Sequence, residues 1–128
     1  MTHLLVDTDI LIDIANNDET ATKRLANESQ TLTLCISAIT VMELVIGCRN
    51  KTEEQALDKF LGQFAVYPLT EEISTQTIEL IQTYALSHGL LIPDALIAAT
   101  AISNNMALLS KNQRDYRFIE SLNLLPYP

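Results

Sequence analysis

Basic side chains are scarce in this chain: eight Lys and Arg stand against sixteen Asp and Glu over 128 residues, a net charge of −8. That balance excludes a broad electrostatic grip on nucleic acid, so chemistry on a phosphate backbone would need bound cations or a local basic patch. Cysteine is limited to Cys35 and Cys48, each within an apolar run and without metal-ligand spacing. This excludes a disulfide framework and fits buried free thiols in a reducing cytosol. With no His or Cys cluster, nothing suggests zinc. No apolar stretch reaches about 18 residues, so no membrane span is expected. Asp7, Asp9 and Asp13 interrupt the amino-terminal apolar run, so no secretory leader is expected either. Repeats, low-complexity tracts and linkers are also lacking. What is present is a chain 48% hydrophobic, with mean hydropathy +0.15. Its length suits one domain, 1–128, that buries about two-thirds of its unfolded surface. A soluble, cytoplasmic protein with apolar surface available for an oligomer interface is expected.

The stretch Leu4 to Asp13 organises the rest. Leu4, Leu5 and Val6 form a short apolar run of the kind found in a central strand buried on both faces. It ends in Asp7, and Asp9 follows. In open α/β sheets ligands bind beyond the carboxyl ends of strands, where Asp7 would sit. Asp9 reads as the cap of a helix over Ile10 to Ala15, and Asp7 as the functional candidate, because a central strand end is a costly place for an unpaired charge.

Asp18 caps a second expected helix, through Glu28, and Thr31 to Ser37 alternates as a second strand. Ser37 then caps a helix over Ala38 to Cys48, apolar except for a stripe of Thr40, Glu43, Gly47 and Asn50. On an otherwise buried helix, that stripe is either a thin solvated face or the wall of a cleft holding Glu43. Lys51 to Phe64 is amphipathic, and Ala65 to Leu69 is a strand that Pro68 confines to an edge or an end. Thr70 caps a helix that stops at Gly89, where His88 suits the helix C-terminus. Pro93 opens a helix over Ala95 to Asn104, with Asp94 the one charge between Gly89 and Leu109. Ala107 to Ser110 is a further strand. Lys111 to Arg117 reads as a solvated turn holding three of the eight basic residues, and Leu122 to Leu125 as a last edge strand.

Strands alternating with helices argue for a three-layer α/β/α fold around a mainly parallel sheet of four to five strands. Asp7, Glu43, Asp94 and Asp115 then fall at strand ends or just inside the following helices. Converging acids raise one another's pKa unless a hard cation offsets them, and Mg2+ or Mn2+ suits carboxylate oxygens. Such a site fits phosphodiester hydrolysis by metal-activated water.

LLVDTDILID, SAITVMELVIG, IPDALIAATAI and ALLSKNQRDY together resemble a PIN domain, specifically the VapC-type toxins of toxin–antitoxin pairs, over essentially the whole chain. The resemblance implies metal-binding acids at Asp7, Glu43 and Asp94, with Thr8 as the hydroxyl residue after the first acid. Ser110 stands where the family often has threonine, and Asn112 where many relatives have a fourth Asp. Asp115 is the candidate substitute, to orient water or hold a second ion. Lys111, Arg114 and Arg117 are then candidate phosphate contacts. Also implied are Mg2+- or Mn2+-dependent endoribonuclease activity on RNA, a homodimer, and a small antitoxin whose tail reaches the acidic pocket with a basic residue. The alternatives are a catalytically degenerate PIN-like binding module and a receiver-type signalling domain. A receiver needs an acid ending a middle strand, where Ile36-Ser37 and Tyr67-Pro68 supply none. A haloacid-dehalogenase-like phosphatase also begins with a strand and D-x-D, but the late acidic pair it needs is missing.

Overall fold

A computed structural model describes residues 2–128. The elements run β1 (His3–Val6), α1 (Thr8–Ala15), α2 (Glu19–Glu28), β2 (Thr33–Ser37), α3 (Ala38–Ile46), α4 (Lys51–Leu61), β3 (Ala65–Tyr67), α5 (Glu71–His88), α6 (Ile92–Ser103), β4 (Ala107–Leu109) and α7 (Gln113–Tyr116). The four strands pair in parallel in the order β3-β2-β1-β4. Parallel pairing requires crossovers, which the helices supply on both faces, giving the expected three layers.

β1 is central because its apolar run can be covered on both sides. Leu4, Leu5 and Val6 are each 0% exposed, each burial being worth roughly 1.5–3 kcal/mol. Alternation divides them between two cores. Leu5 joins Cys35, Leu108, Ile73, Ala98 and Tyr116, whereas Leu4 and Val6 join Ile36, Leu109, Ile10, Leu25 and Phe64. The buried alanines of α6 (Ala95, Ala98, Ala99, Ala101) leave room for α5 to pack closely. All four strands point the same way, so their carboxyl ends share one rim. Asp7 is held there by its backbone N–H donating to the Leu109 carbonyl at 2.9 Å.

Several expectations need correction. Asp7, not Asp9, caps α1, with Oδ1 accepting the Thr8 N–H at 2.8 Å. α3 is not a buried helix: Met42, Val45 and Ile46 are 51%, 40% and 83% exposed. Of the stripe that interrupts its apolar sequence, Thr40 faces inward and is fully buried and Glu43 is half-buried, whereas Gly47 and Asn50 are exposed. Cys48 is only partly buried. Lys111 to Arg117 is not a plain turn; it contains α7, whose Tyr116 is 1% exposed. Leu122 to Leu125 forms no strand, because only Leu124 makes a bridge, to Leu108, before Pro126. α6 begins at Ile92, since proline fits the first turn of a helix. Asp18, Ser37 and Thr70 cap α2, α3 and α5 as their sequence positions suggest, and Gly89 ends α5 at φ 70°.

Candidate active site

Three segments far apart in sequence meet at the carboxyl rim: the β1–α1 junction, the buried side of α3 and the β4–α7 loop. The first turn of α6 closes the group. Asp7 is 4% exposed, and both of its carboxylate oxygens are engaged. Oδ1 accepts from the Thr8 N–H, and Oδ2 accepts from the Ser110 hydroxyl at 2.7 Å. Thr8 turns its hydroxyl the other way, donating to Glu43 Oε1 at 2.8 Å, with Thr40 Oγ1 3.0 Å away. One residue thus ties the end of β1 to α3 and fixes Glu43.

Asp94 accepts from the Tyr116 hydroxyl at 3.3 Å. The Tyr116 hydroxyl also lies near Asp7, where it opposes part of the upward shift of that carboxyl. Asp94 lies in the first turn of α6, whose N-cap residue Leu91 gives no side-chain bond; a carboxylate there suits the helix dipole. Asp115 is exposed on α7, near enough for its charge to act on Asp94.

Asp9 is the residue that sequence reasoning misjudged. Its Oδ2 accepts from the Asn112 backbone N–H at 3.0 Å and lies 3.3 Å from the Ser110 hydroxyl. Its Oδ1 is buried without a hydrogen-bond partner. The D-x-D spacing was the available signal, but an aspartate at a helix start is equally well explained as a cap.

Electrostatics follow from this crowding. Burial, and after it the charge of Asp9, pushes the Asp7 carboxyl up to about 7. Burial also raises Asp9. Asp94 is raised first by burial and then by Asp115, with Glu43 and Asp9 adding smaller contributions. Tyr116 is pushed far upward by burial and the surrounding carboxylates, so its hydroxyl remains a proton donor. The nearest lysine does not offset the acids: Lys111 pairs with Asp13 at 3.1 Å. Arg114 and Arg117 are exposed on and beside α7.

Among the described residues, no three His, Cys, Asp or Glu side chains stand ready-made as a metal cluster. Hydrogen bonds to Thr8, Ser110 and Tyr116 hold the carboxylates in their present orientations. The residues nevertheless fit a hard divalent cation. Their donors are all oxygen, two of the three expected acids are shifted upward, and a buried carboxylate oxygen has no donor. A cation would relieve the last two of these conditions, and the first is the donor set that such an ion prefers.

The PIN domain family profile matches residues 4–120. Ribonuclease VapC10 of Mycobacterium tuberculosis is 31% identical over 120 residues, covering 93% of this chain and 90% of that protein. Ribonuclease VapC1 of Methanocaldococcus jannaschii is 31% identical over 126 residues, covering 97% and 86%. Among solved structures, VapBC2 from Rickettsia felis bound to a DNA fragment from its promoter superposes with TM-score 0.84 at 25% identity, covering 99% of this chain and 100% of that one. A toxin–antitoxin complex from Klebsiella pneumoniae gives TM-score 0.81 at 29% identity, covering 96% of each chain.

Proposed function

Because the chain belongs to the PIN-domain family, we propose that it is a divalent-metal-dependent endoribonuclease, the toxin of a toxin–antitoxin pair. The observation that carries this reading is the gathering of Asp7, Glu43 and Asp94 on one rim, with no lysine or arginine among the described residues paired to them. The curated relatives are ribonucleases by name and the solved neighbours are toxin–antitoxin complexes, which supports the same assignment.

Asp7, Glu43 and Asp94 would hold the cation, Mg2+ or Mn2+ in this reading. Once bound, such an ion supplies an activated water and stabilises charge on the phosphate. The chain's own residues do the rest. Ser110 and the Thr8 N–H orient Asp7, the Thr8 hydroxyl orients Glu43, and Tyr116 donates to Asp94. Asp115, exposed beside Asp94, is assigned to orienting the attacking water. Arg114 and Arg117 provide positive charge for the RNA backbone, and Lys111 joins them when it leaves Asp13. Asp7 is about half protonated near neutral pH without a cation, so binding one releases a proton.

The acting unit in this reading is the whole of 1–128, as a cytoplasmic homodimer. Exposed Leu86, Leu91 and Ile92, at 103%, 64% and 65%, give α5 and α6 an apolar surface for a second copy. A groove of about 800 Å³ between α1, α3 and α4, lined by Ile12, Glu43, Leu44, Leu57 and Phe60, suits an antitoxin segment. A basic residue on that segment would reach Glu43. Among the described residues, no helix is long and apolar enough to cross a membrane.

The test is cleavage of single-stranded RNA by the purified chain free of any partner. Cutting is expected with Mg2+ or Mn2+, none with EDTA, and none after Asp7→Asn or Asp94→Asn. Protein that binds a partner yet cuts no RNA in either metal would instead identify a binding module.

A further inference from the structure

We propose that Asp9 is the fourth carboxylate of the cation site, clamped in place by the β4–α7 loop; this rests on the metal-dependent reading above. Asp9 Oδ1 is the one buried carboxylate oxygen among the described residues that lacks a hydrogen-bond partner. A buried acceptor left open in a well-packed rim calls for a ligand, because water and protein donors otherwise satisfy such groups. Its direction is fixed rather than free. Oδ2 is held by the Asn112 N–H at 3.0 Å and lies 3.3 Å from the Ser110 hydroxyl, so the carboxylate plane cannot turn without breaking both contacts.

The same Ser110 hydroxyl binds Asp7 Oδ2 at 2.7 Å, which separates the two carboxylates by a single oxygen atom. The nearby ammonium group is committed elsewhere, Lys111 Nζ lying 3.1 and 3.2 Å from the two oxygens of Asp13. Asn112 supplies no carboxylate of its own; its contribution is the backbone N–H that holds Asp9, with a second contact to Ser110 Oγ at 3.0 Å. Asp115, the other candidate, is exposed and carries none of these constraints. Asp9 therefore offers a hard oxygen already oriented and already desolvated, and a divalent cation is the ligand chemistry that matches it.

Calorimetric titration with MnCl2 alone, at pH 8, tests this on the full chain. Wild type, Asp9→Asn and Asp115→Asn are compared, each first melted in EDTA. Asparagine keeps an oxygen acceptor for the Asn112 N–H, so Asp9→Asn should melt in EDTA no lower than wild type. Its Mn2+ affinity should fall at least tenfold, with the metal-induced rise in melting temperature reduced in parallel. Asp115→Asn should keep its affinity within about threefold. Asp9→Ser removes the carboxylate by another route and gives the same reading if the asparagine variant fails to fold. Affinity within twofold of wild type for Asp9→Asn, or a larger loss for Asp115→Asn, overturns the proposal while leaving the metal site itself standing. Wild type that binds no Mn2+ overturns both.

Discussion

Asp7→Asn should make the metal-free protein more stable at alkaline pH while abolishing its activity. Asp7 caps α1 through Oδ1 and accepts from Ser110 through Oδ2. Asparagine is as good a cap, and a Ser110 hydroxyl can accept from an amide as readily as it donates to a carboxylate. What the substitution removes is the charge. The carboxyl titrates near 7 in the folded protein against an ordinary value of 3.8, burial being the main cause. Between those two pH values the folded chain keeps a proton that the unfolded chain has released. Stability therefore falls as pH rises through that window, and the whole penalty is present above about pH 8. Three units at 1.36 kcal/mol each set a ceiling of about 4 kcal/mol; rearrangement in the rim reduces it, so a gain of about 1–4 kcal/mol is expected. For a chain of this size that is about 3–5 °C of melting temperature per kcal/mol. Urea denaturation in EDTA at pH 4, 6 and 8 reads it: the variant should gain at pH 8, gain less at pH 6 and match wild type at pH 4. An asparagine variant less stable than wild type at pH 8, or equally shifted at all three values, would refute the reasoning.

Other outcomes follow from the same geometry. Ser110→Ala removes the donor from a buried carboxylate and should cost about 1–3 kcal/mol, with the loss larger at pH 8 than at pH 4 because the ionised acceptor needs the bond more. Leu5→Ala empties the centre of one core and should cost about 2–5 kcal/mol by chemical denaturation, without altering the acids directly. Arg114→Ala combined with Arg117→Ala should leave the melting temperature unchanged but raise KM for RNA, most visibly at low salt; an unchanged KM would remove both from the substrate path.

The sheet was legible because its strands are apolar on both faces: Leu4 to Val6, Leu34 to Ile36 and Ala107 to Leu109 can sit nowhere but between two helix layers. Three parallel strand ends then put Asp7, Ser37 and Ser110 on one rim, which is why Asp7 could be singled out without coordinates. Glu43 was legible only as an anomaly in an apolar helix, since hydrophobicity does not distinguish a core face from an exposed one; Ile46 is as apolar as Ile36 and is 83% exposed. Asp9 escaped because two aspartates in Asp-Thr-Asp compete for one cap, and local propensity does not say which wins. What decides it is a contact with Asn112 across 103 positions of sequence. Tyr116 escaped for a related reason: a tyrosine within a run of charges looks solvated until α7 folds it under the rim.

The most direct test of the central claim is a crystal soaked in Mn2+ and measured at the manganese absorption edge. An anomalous peak bounded by Asp7, Glu43 and Asp94, with carboxylate oxygens about 2.0–2.3 Å from it, is expected. Carboxylates still bonded only to Thr8, Ser110 and Tyr116, with no peak among them at saturating Mn2+, would contradict it.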